Sequence, residues 1–173
     1  MRPSPRLIAL LLALAAAPAQ AVNPFVSHRL AIDGAVEQPQ QLTVADLAKL
    51  PLHRIERVPV ICHTGAHIAD KHHLEGVLLR DLVARAHPKV DTPRGLRTLA
   101  VTAGASDGYQ VVFSWGELFN TPIGEQVLVY FRHDGQPLDD TEGRIALISS
   151  ADQQTGARHV RWLDHIEVRQ LAR

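Results

Sequence analysis

One cysteine stands at the end of an apolar, β-branched segment, and a glycine and several histidines follow it. The cysteine is Cys62, and the segment that leads to it, residues 54–62, is typical of a strand. A strand end can direct a side chain into a cleft while the strand fixes the backbone. A thiolate there suits copper, zinc, iron–sulfur and molybdenum centres, and a charged His63 or His67 would favour the thiolate form. The alternative is a small buried apolar side chain, the common fate of a single cysteine.

The histidines allow a second hypothesis. His63, His67 and the pair at 72–73 fall within twelve positions that begin at Cys62. Imidazole together with thiolate suits zinc or copper, so Cys62 with His63 or His67 is a candidate metal site. The spacing differs from that of standard zinc modules, and a solvated histidine-rich loop fits the same pattern. Both interpretations stay open at this point.

A basic stretch near the C-terminus, residues 155–163, is the third candidate. It contains Gly156 near its start and leads into an apolar segment that is typical of a strand. Backbone N–H groups in such a turn, together with Arg158 and Arg161, would hold an anion such as a phosphate. An exposed basic loop that Trp162 anchors to the core is the alternative.

Strands outnumber helices among the elements that must position these residues. Asp46 follows Thr43 by three positions and indicates a capped helix start, while Pro59 inside a strand segment indicates an edge position or a bulge. Asp134-Gly135 favours a tight hairpin. The pattern predicts an α+β fold, a mixed sheet with short helices. The predicted strands cover residues 29–32, 54–62, 99–103, 109–113, 127–131, 145–149 and 166–171, and the predicted helices start at 43 and cover 77–86 and 115–119.

The first 21 residues have the features of a cleavable signal peptide. Arg2 and Arg6 precede an apolar run over residues 7–17, and Ala19-Gln20-Ala21 supplies the small-residue cleavage pattern. The apolar run is too short for a stable membrane anchor, which needs about 20 residues. We therefore expect a signal peptide at 1–21 and one domain at 22–173, exported by the general secretory route: periplasmic if bacterial, otherwise secreted, with no membrane anchor after cleavage.

Charge and cysteine content exclude other classes. The chain has 18 basic and 18 acidic residues, so it has no field of one sign for a nucleic acid or a membrane surface. A single cysteine excludes an internal disulfide, and the core must be stable by packing alone.

Four segments, in this order, resemble the molybdopterin-binding domain of the sulfite-oxidase family: residues 42–51, 60–62, 75–82 and 156–163. The resemblance implies the fold of that domain and a molybdenum–molybdopterin cofactor. It implies that Cys62 binds the metal through sulfur, and that Arg158, His159, Val160 and Arg161 hold the pterin and its phosphate. The implied activity is oxygen-atom transfer on a small oxyanion or sulfoxide, with a small anionic ligand or a redox protein as partner. No catalytic residue is assigned.

Departures from the family pattern keep other functions open. Glu142 stands where the family has a histidine, and its carboxylate would repel a phosphate. Leu147 stands where an arginine is expected, with Arg144 as a candidate substitute. Only residues 22–28 precede the first predicted strand, and the signal lacks a pair of adjacent arginines. The alternatives are a cofactor-free ligand-binding, accessory or sensor module with the same fold, and a protein that binds a transition metal through cysteine and histidine.

Overall fold

A computed structural model describes residues 23–171; the predicted signal peptide, residues 1–21, lies outside them. Among the described residues, no helix combines the length and the apolar character needed to cross a membrane. The helices are α1 (Val44–Leu47), α2 (Leu79–Arg85) and α3 (Trp115–Asn120). The strands are β1 (Arg29–Gly34), β2 (Gln40–Thr43), β3 (His53–Ile61), β4 (His67–Leu78), β5 (Leu99–Ala105), β6 (Gln110–Ser114), β7 (Val127–His133), β8 (Gln136–Pro137), β9 (Ala146–Ser149) and β10 (Leu163–Gln170).

The strands form two five-stranded sheets. The first has the order β2-β1-β10-β5-β6. Its β1 and β10 are parallel, with Ile32 opposite Ile166, and its other pairs are antiparallel. The second has the order β3-β4-β7-β8, with β9 also paired to β7, and is antiparallel throughout. The predicted α+β fold with short helices is confirmed, and the mixed sheet is the first one.

The main apolar core joins the two sheets. Strand β7 shows how, because its residues alternate between two buried clusters with the period of two expected for a strand. Val127, Val129 and Phe131 belong to the cluster shared with the first sheet, while Leu128 and Tyr130 belong to a smaller cluster on the opposite face. Each fully buried side chain of this size contributes about 1.5–3 kcal/mol, so β7 is a rigid support for whatever its ends carry.

Side-chain caps fix two of the short helices. The Thr43 hydroxyl accepts from the backbone N–H of Asp46, and the Asp46 carboxylate accepts from the N–H of Thr43. Ser114 and Glu117 form the same reciprocal cap at the start of α3. The helix start at 43, the helix near 115–119 and the hairpin at Asp134-Gly135 are therefore confirmed.

The histidine-rich segment departs from its prediction. The turn after Cys62 is short, and the chain then continues as the twelve-residue strand β4, so the loop interpretation of residues 67–73 is wrong. The helix expected from residue 77 begins at Leu79, because Val77 and Leu78 still pair with β7. Pro59 lies in β3 at the edge of its sheet, as predicted.

Candidate functional site

A cleft of about 640 Å³ opens where the end of β3, the start of β4, the β5–β6 turn and the C-terminal basic stretch meet. The first two elements are one hairpin, and the basic stretch comes from the other end of the domain. The cleft is lined by Val60, Cys62, His63, Ile68, Ala69, Lys71, Asp107, Tyr109, Glu142, Gly156, Ala157, His159 and Arg161. Residues that were singled out in separate parts of the sequence therefore share one cavity.

Cys62 occupies the first position after β3. Its backbone N–H donates to the carbonyl of Ala66 at 3.0 Å, and its own carbonyl accepts from the N–H of Gly65 at 2.9 Å. Gly65 has a φ of +86°, which favours glycine at this position of the turn. The thiol is half-buried, and its sulfur lies 2.8 Å from the Thr64 hydroxyl oxygen. The hydrogen bond from Thr64 lowers the pKa of Cys62 below its ordinary value, which favours the thiolate.

Thr155 fastens the basic stretch to the end of β3. Its hydroxyl donates to the carbonyl of Pro59 and accepts from the N–H of Ile61 at 3.0 Å. Gly156 then passes so close that a Cβ on it would lie 2.8 Å from the carbonyl oxygen of Ile61. A buried hydroxyl with both roles used, next to a residue without a side chain, explains how the two distant segments come together.

Two of the predicted ligand-binding residues have side chains that do not line the cleft. Arg158 donates to Asp152 at 2.6 Å and to Glu117 at 3.0 Å, and its guanidinium lies 4.4 Å from the centre of the Phe113 ring. Val160 is fully buried, and its N–H and carbonyl both pair with Leu147 at 2.8 Å. These contacts assign the two side chains to the fold rather than to the cleft surface.

His159 belongs to a hydrogen-bonded network at the cleft wall. The buried Tyr130 hydroxyl donates to Glu142 at 2.7 Å and lies 2.8 Å from Nε2 of His159. Because the hydroxyl proton is used on Glu142, Nε2 of His159 must carry the proton and donate to Tyr130. The other carboxylate oxygen of Glu142 accepts from the Lys71 ammonium. The bare Nδ1 of His159 is therefore an acceptor.

Burial decides the protonation of this network. It lowers the pKa of His159 to about 3, and the charges of Lys71 and Arg161 add to the shift, so the imidazole is neutral near pH 7. Burial raises the pKa of Tyr130, so the hydroxyl keeps its proton. Burial also lowers the pKa of Lys71, but the contact with the Glu142 carboxylate favours the charged ammonium. Lys71 and Glu142 form a neutral pair at the cleft wall.

Arg161 contrasts with Arg158, its neighbour in the basic stretch. It is exposed, and its guanidinium lies 4.6 Å from the centre of the Trp162 ring. Within residues 23–171 it forms no ion pair with a carboxylate of the protein, whereas Arg158 forms two. Trp162 is itself fixed, because its backbone N–H donates to the carbonyl of Glu142 at 2.7 Å. Gly143, with a φ of +82°, packs so tightly here that a Cβ would lie 2.8 Å from the indole.

Other residues weighed from the sequence divide between the cleft and the body. Asp107 and Tyr109 line the cleft, and the Tyr109 hydroxyl donates to the carbonyl of Ala157 at 2.7 Å. Arg144 does not line it: its guanidinium donates to the carbonyl of Leu138 and to Asp140. Arg144 as a substitute for the family's arginine is therefore wrong for this cleft. Leu147 is fully buried.

The sequence analysis missed Lys71 and Tyr130. Lys71 was missed because β4 was interpreted as a loop; in a strand, positions 69 and 71 share one face, and both line the cleft. Tyr130 was assigned to a strand with no sign of which face it takes. Glu142 was expected to repel a phosphate, and that interpretation did not foresee the ammonium of Lys71 beside it.

The histidines do not gather around the thiol. His63 lines the cleft, but His67 points to Asp70, with Nε2 3.4 Å from the carboxylate. His73 contacts Asp134 at 2.7 Å. Among residues 23–171, no group of three or more histidine, cysteine, aspartate or glutamate side chains is arranged to hold a metal ion. The geometry does not favour the hypothesis of a cysteine–histidine metal site.

A two-sheet α+β scaffold with a thiol and a free guanidinium in one cleft defines a cofactor- or anion-binding domain of the sulfite-oxidase type. The family model described as the oxidoreductase molybdopterin-binding domain matches residues 16–172, and the chain belongs to that family.

Comparison with solved structures agrees with this fold. The crystal structure of the sulfane dehydrogenase SoxCD from Paracoccus pantotrophus is similar, with a TM-score of 0.60 and 22% sequence identity over 82% of this chain. The match covers 38% of that solved chain, so the protein spans well under half of its length. At this identity the likeness shows the fold alone. No curated protein matches the sequence significantly.

Proposed function

We propose that the chain binds molybdenum–molybdopterin in the cleft and acts as an exported oxidoreductase domain on a small oxyanion or sulfoxide. The observation that carries the proposal is that Cys62 and Arg161 line one cavity although they come from distant parts of the chain. A soft ligand and a cation on the same cleft are what a metal with an anionic organic ligand requires.

The residues of the cleft fit that group. Cys62 is accessible, and the hydrogen bond from Thr64 favours its thiolate. Arg161 has its guanidinium free for an anionic part of the ligand. Glu142, which from sequence opposed a phosphate, is neutralised by Lys71. The carboxylate therefore adds no net negative charge to the cleft.

The side chains divide the work of holding such a group. When bound, it supplies two-electron redox chemistry coupled to oxygen-atom transfer. Cys62 would hold the metal through its sulfur, and Arg161 would hold the anionic portion. His159, neutral and with Nδ1 free to accept, would hold an N–H or O–H donor of the ligand. Tyr130 and Glu142 keep that imidazole in one orientation.

Metal analysis of the protein from its native compartment tests the proposal. We expect about one molybdenum per chain in the wild type, loss of the metal in Cys62→Ser, and retention in His63→Asn, which alters another cleft residue. Thermal unfolding of each variant checks that it is folded. Molybdenum that is absent from the wild type in cells replete with the cofactor would refute the proposal, as would metal retained in Cys62→Ser.

Export completes the proposal and has its own test. Residues 1–21 have the pattern of a general secretory signal, which delivers the domain to the periplasm or the medium. The mature protein should begin at Val22, as N-terminal sequencing of the secreted form would show. A mature form that retains residues 1–21 contradicts this part.

A cofactor-free anion-binding module is the second candidate. It is favoured by the exposed side chains of Ile68 (64%) and Tyr109 (43%) at the cleft, which nothing in the described chain covers. This candidate predicts that phosphate or another small anion raises the melting temperature of the metal-free protein. No shift at concentrations up to tens of millimolar argues against it.

A further inference from the structure

Lys71 and Glu142 form an ion pair within the ligand cleft. Their side chains are 11% and 14% exposed, and both line the cavity. The carboxylate is used on both sides, because it also accepts from Tyr130. The ammonium therefore faces the cleft with its charge already balanced.

The cleft thus has two cations and only one that is uncommitted. Lys71 and Arg161 line the same cavity, with His159 in the same wall. The charges of both act on His159, and Arg161 also acts on Lys71, since each lowers the pKa of its neighbour. The two cations are therefore close enough to act on one bound anion. Asp139 and Asp107 are the nearby acidic groups, the first acting on Lys71 and the second lining the cleft.

We propose that Glu142 determines the charge of the ligand that the cleft accepts: by occupying Lys71, it restricts the cleft to singly charged anions held by Arg161. The inference rests on the proposed function in one respect, that this cleft is the ligand site. It deepens that function by naming the charge class of the substrate.

The physical basis is the cost of a second negative charge. A dianion gains little from Arg161 alone and would draw on Lys71, which places it beside the Glu142 carboxylate. Like charges at close range in a partly buried site are unfavourable. A monoanion satisfies Arg161 without disturbing the pair. Replacement of Glu142 by glutamine keeps an acceptor for Tyr130 and frees the ammonium.

Binding of two matched anions to the metal-free protein tests the proposal. Sulfate is a dianion and methanesulfonate a monoanion of similar size, and neither changes its charge above pH 5. Isothermal titration at pH 6.0 should give affinities within about threefold of each other for the wild type. Glu142→Gln should bind sulfate at least tenfold more tightly, a gain of about 1.4 kcal/mol, and should change methanesulfonate binding by less than threefold.

Two further variants assign the effect. Lys71→Met combined with Glu142→Gln should abolish the gain for sulfate, because the freed cation is gone. Arg161→Gln should weaken both anions at least tenfold. Circular dichroism and thermal unfolding confirm that each variant is folded.

The proposal is overturned if Glu142→Gln leaves the ratio of the two affinities unchanged, or if the double variant keeps the gain. None of these measurements uses the metal. A failure here is therefore distinguishable from the absence of molybdenum, which concerns the proposed function.

Discussion

The basic stretch contains two arginines three positions apart, and their surroundings differ in kind. Arg158 is shielded between two carboxylates and an aromatic ring, so every donor group of its guanidinium has a neighbour in the fold. Arg161 stacks on Trp162 and is otherwise free. The first arginine ties the stretch to the body of the domain, and the second faces the cleft.

The comparison shows that a motif is not uniform in role. Thr155, Arg158 and Val160 have their polar groups saturated by the protein, so they have none left for a ligand. Arg161 and the Nδ1 atom of His159 keep their capacity. The number of unused hydrogen-bonding groups, rather than residue type, separates the two sets.

The largest expected effect concerns His159, which belongs to the fastened set through Nε2. Its folded pKa of about 3 lies below the unfolded value of about 6.5, so the unfolded chain takes up the proton first as the pH falls. The stability from this group is complete above pH 6.5 and is lost toward pH 3. Between pH 6.5 and 4.5 the free energy of unfolding should fall by about 3 kcal/mol.

Urea unfolding across that interval measures the slope. His159→Gln should flatten it, while His133→Gln, at a less buried histidine whose pKa is also lowered, should flatten it less. Equal slopes in the wild type and His159→Gln would show that His159 is not buried in its neutral form.

The next effect tests Arg158 as a structural residue. Arg158→Met leaves the carboxylates of Asp152 and Glu117 without their cation in a partly buried site, and should cost about 2–3 kcal/mol of stability. Binding of methanesulfonate by the folded variant should stay within twofold of the wild type. A loss of binding without a loss of stability would place Arg158 in the cleft and erase the contrast.

A smaller effect is expected at Thr155. Thr155→Val removes the hydroxyl and leaves the N–H of Ile61 without its partner, at a cost of about 1–2 kcal/mol. Thr155→Ser keeps the hydroxyl and should cost less. Chemical denaturation of the pair decides, and a serine variant as unstable as the valine variant would show that packing of the methyl group matters more.

The smallest effect on stability belongs to Arg161. Arg161→Met should change the free energy of unfolding by less than about 0.5 kcal/mol, since the side chain is exposed and unpaired. Its anion binding should nevertheless be lost. Destabilisation comparable to that of Arg158→Met would show that the two arginines serve the fold alike.

Local patterns predicted the fold well and the site in part. Caps, turn glycines and β-branched runs are short-range signals, so the helix start at Thr43, most strands and the edge position of Pro59 followed from them. Strand β4 was missed because five of its twelve residues, His67, Asp70, Lys71, His72 and His73, are polar or charged, and only its pairing with β3 and β7 makes it a strand.

The site shows the same limit. Cys62, His159 and Arg161 could be singled out from residue types and a family resemblance. Neither the contact of Lys71 with Glu142 nor the hydrogen bond from Tyr130 has a local signal, because each joins residues of different strands and loops. The separation of Arg158 from Arg161 likewise depends on Asp152 and Glu117, which only the folded chain brings together.

The placement of β10 has a consequence for biosynthesis. This strand, near the end of the described chain, lies in the middle of the first sheet, parallel to β1 on one side and antiparallel to β5 on the other. Until residues 163–170 have left the ribosome, β1 and β5 have no neighbour on those edges, and the nascent chain cannot assemble the sheet. Folding must wait for the completed polypeptide, so the chain stays open to chaperones and translocases throughout its synthesis.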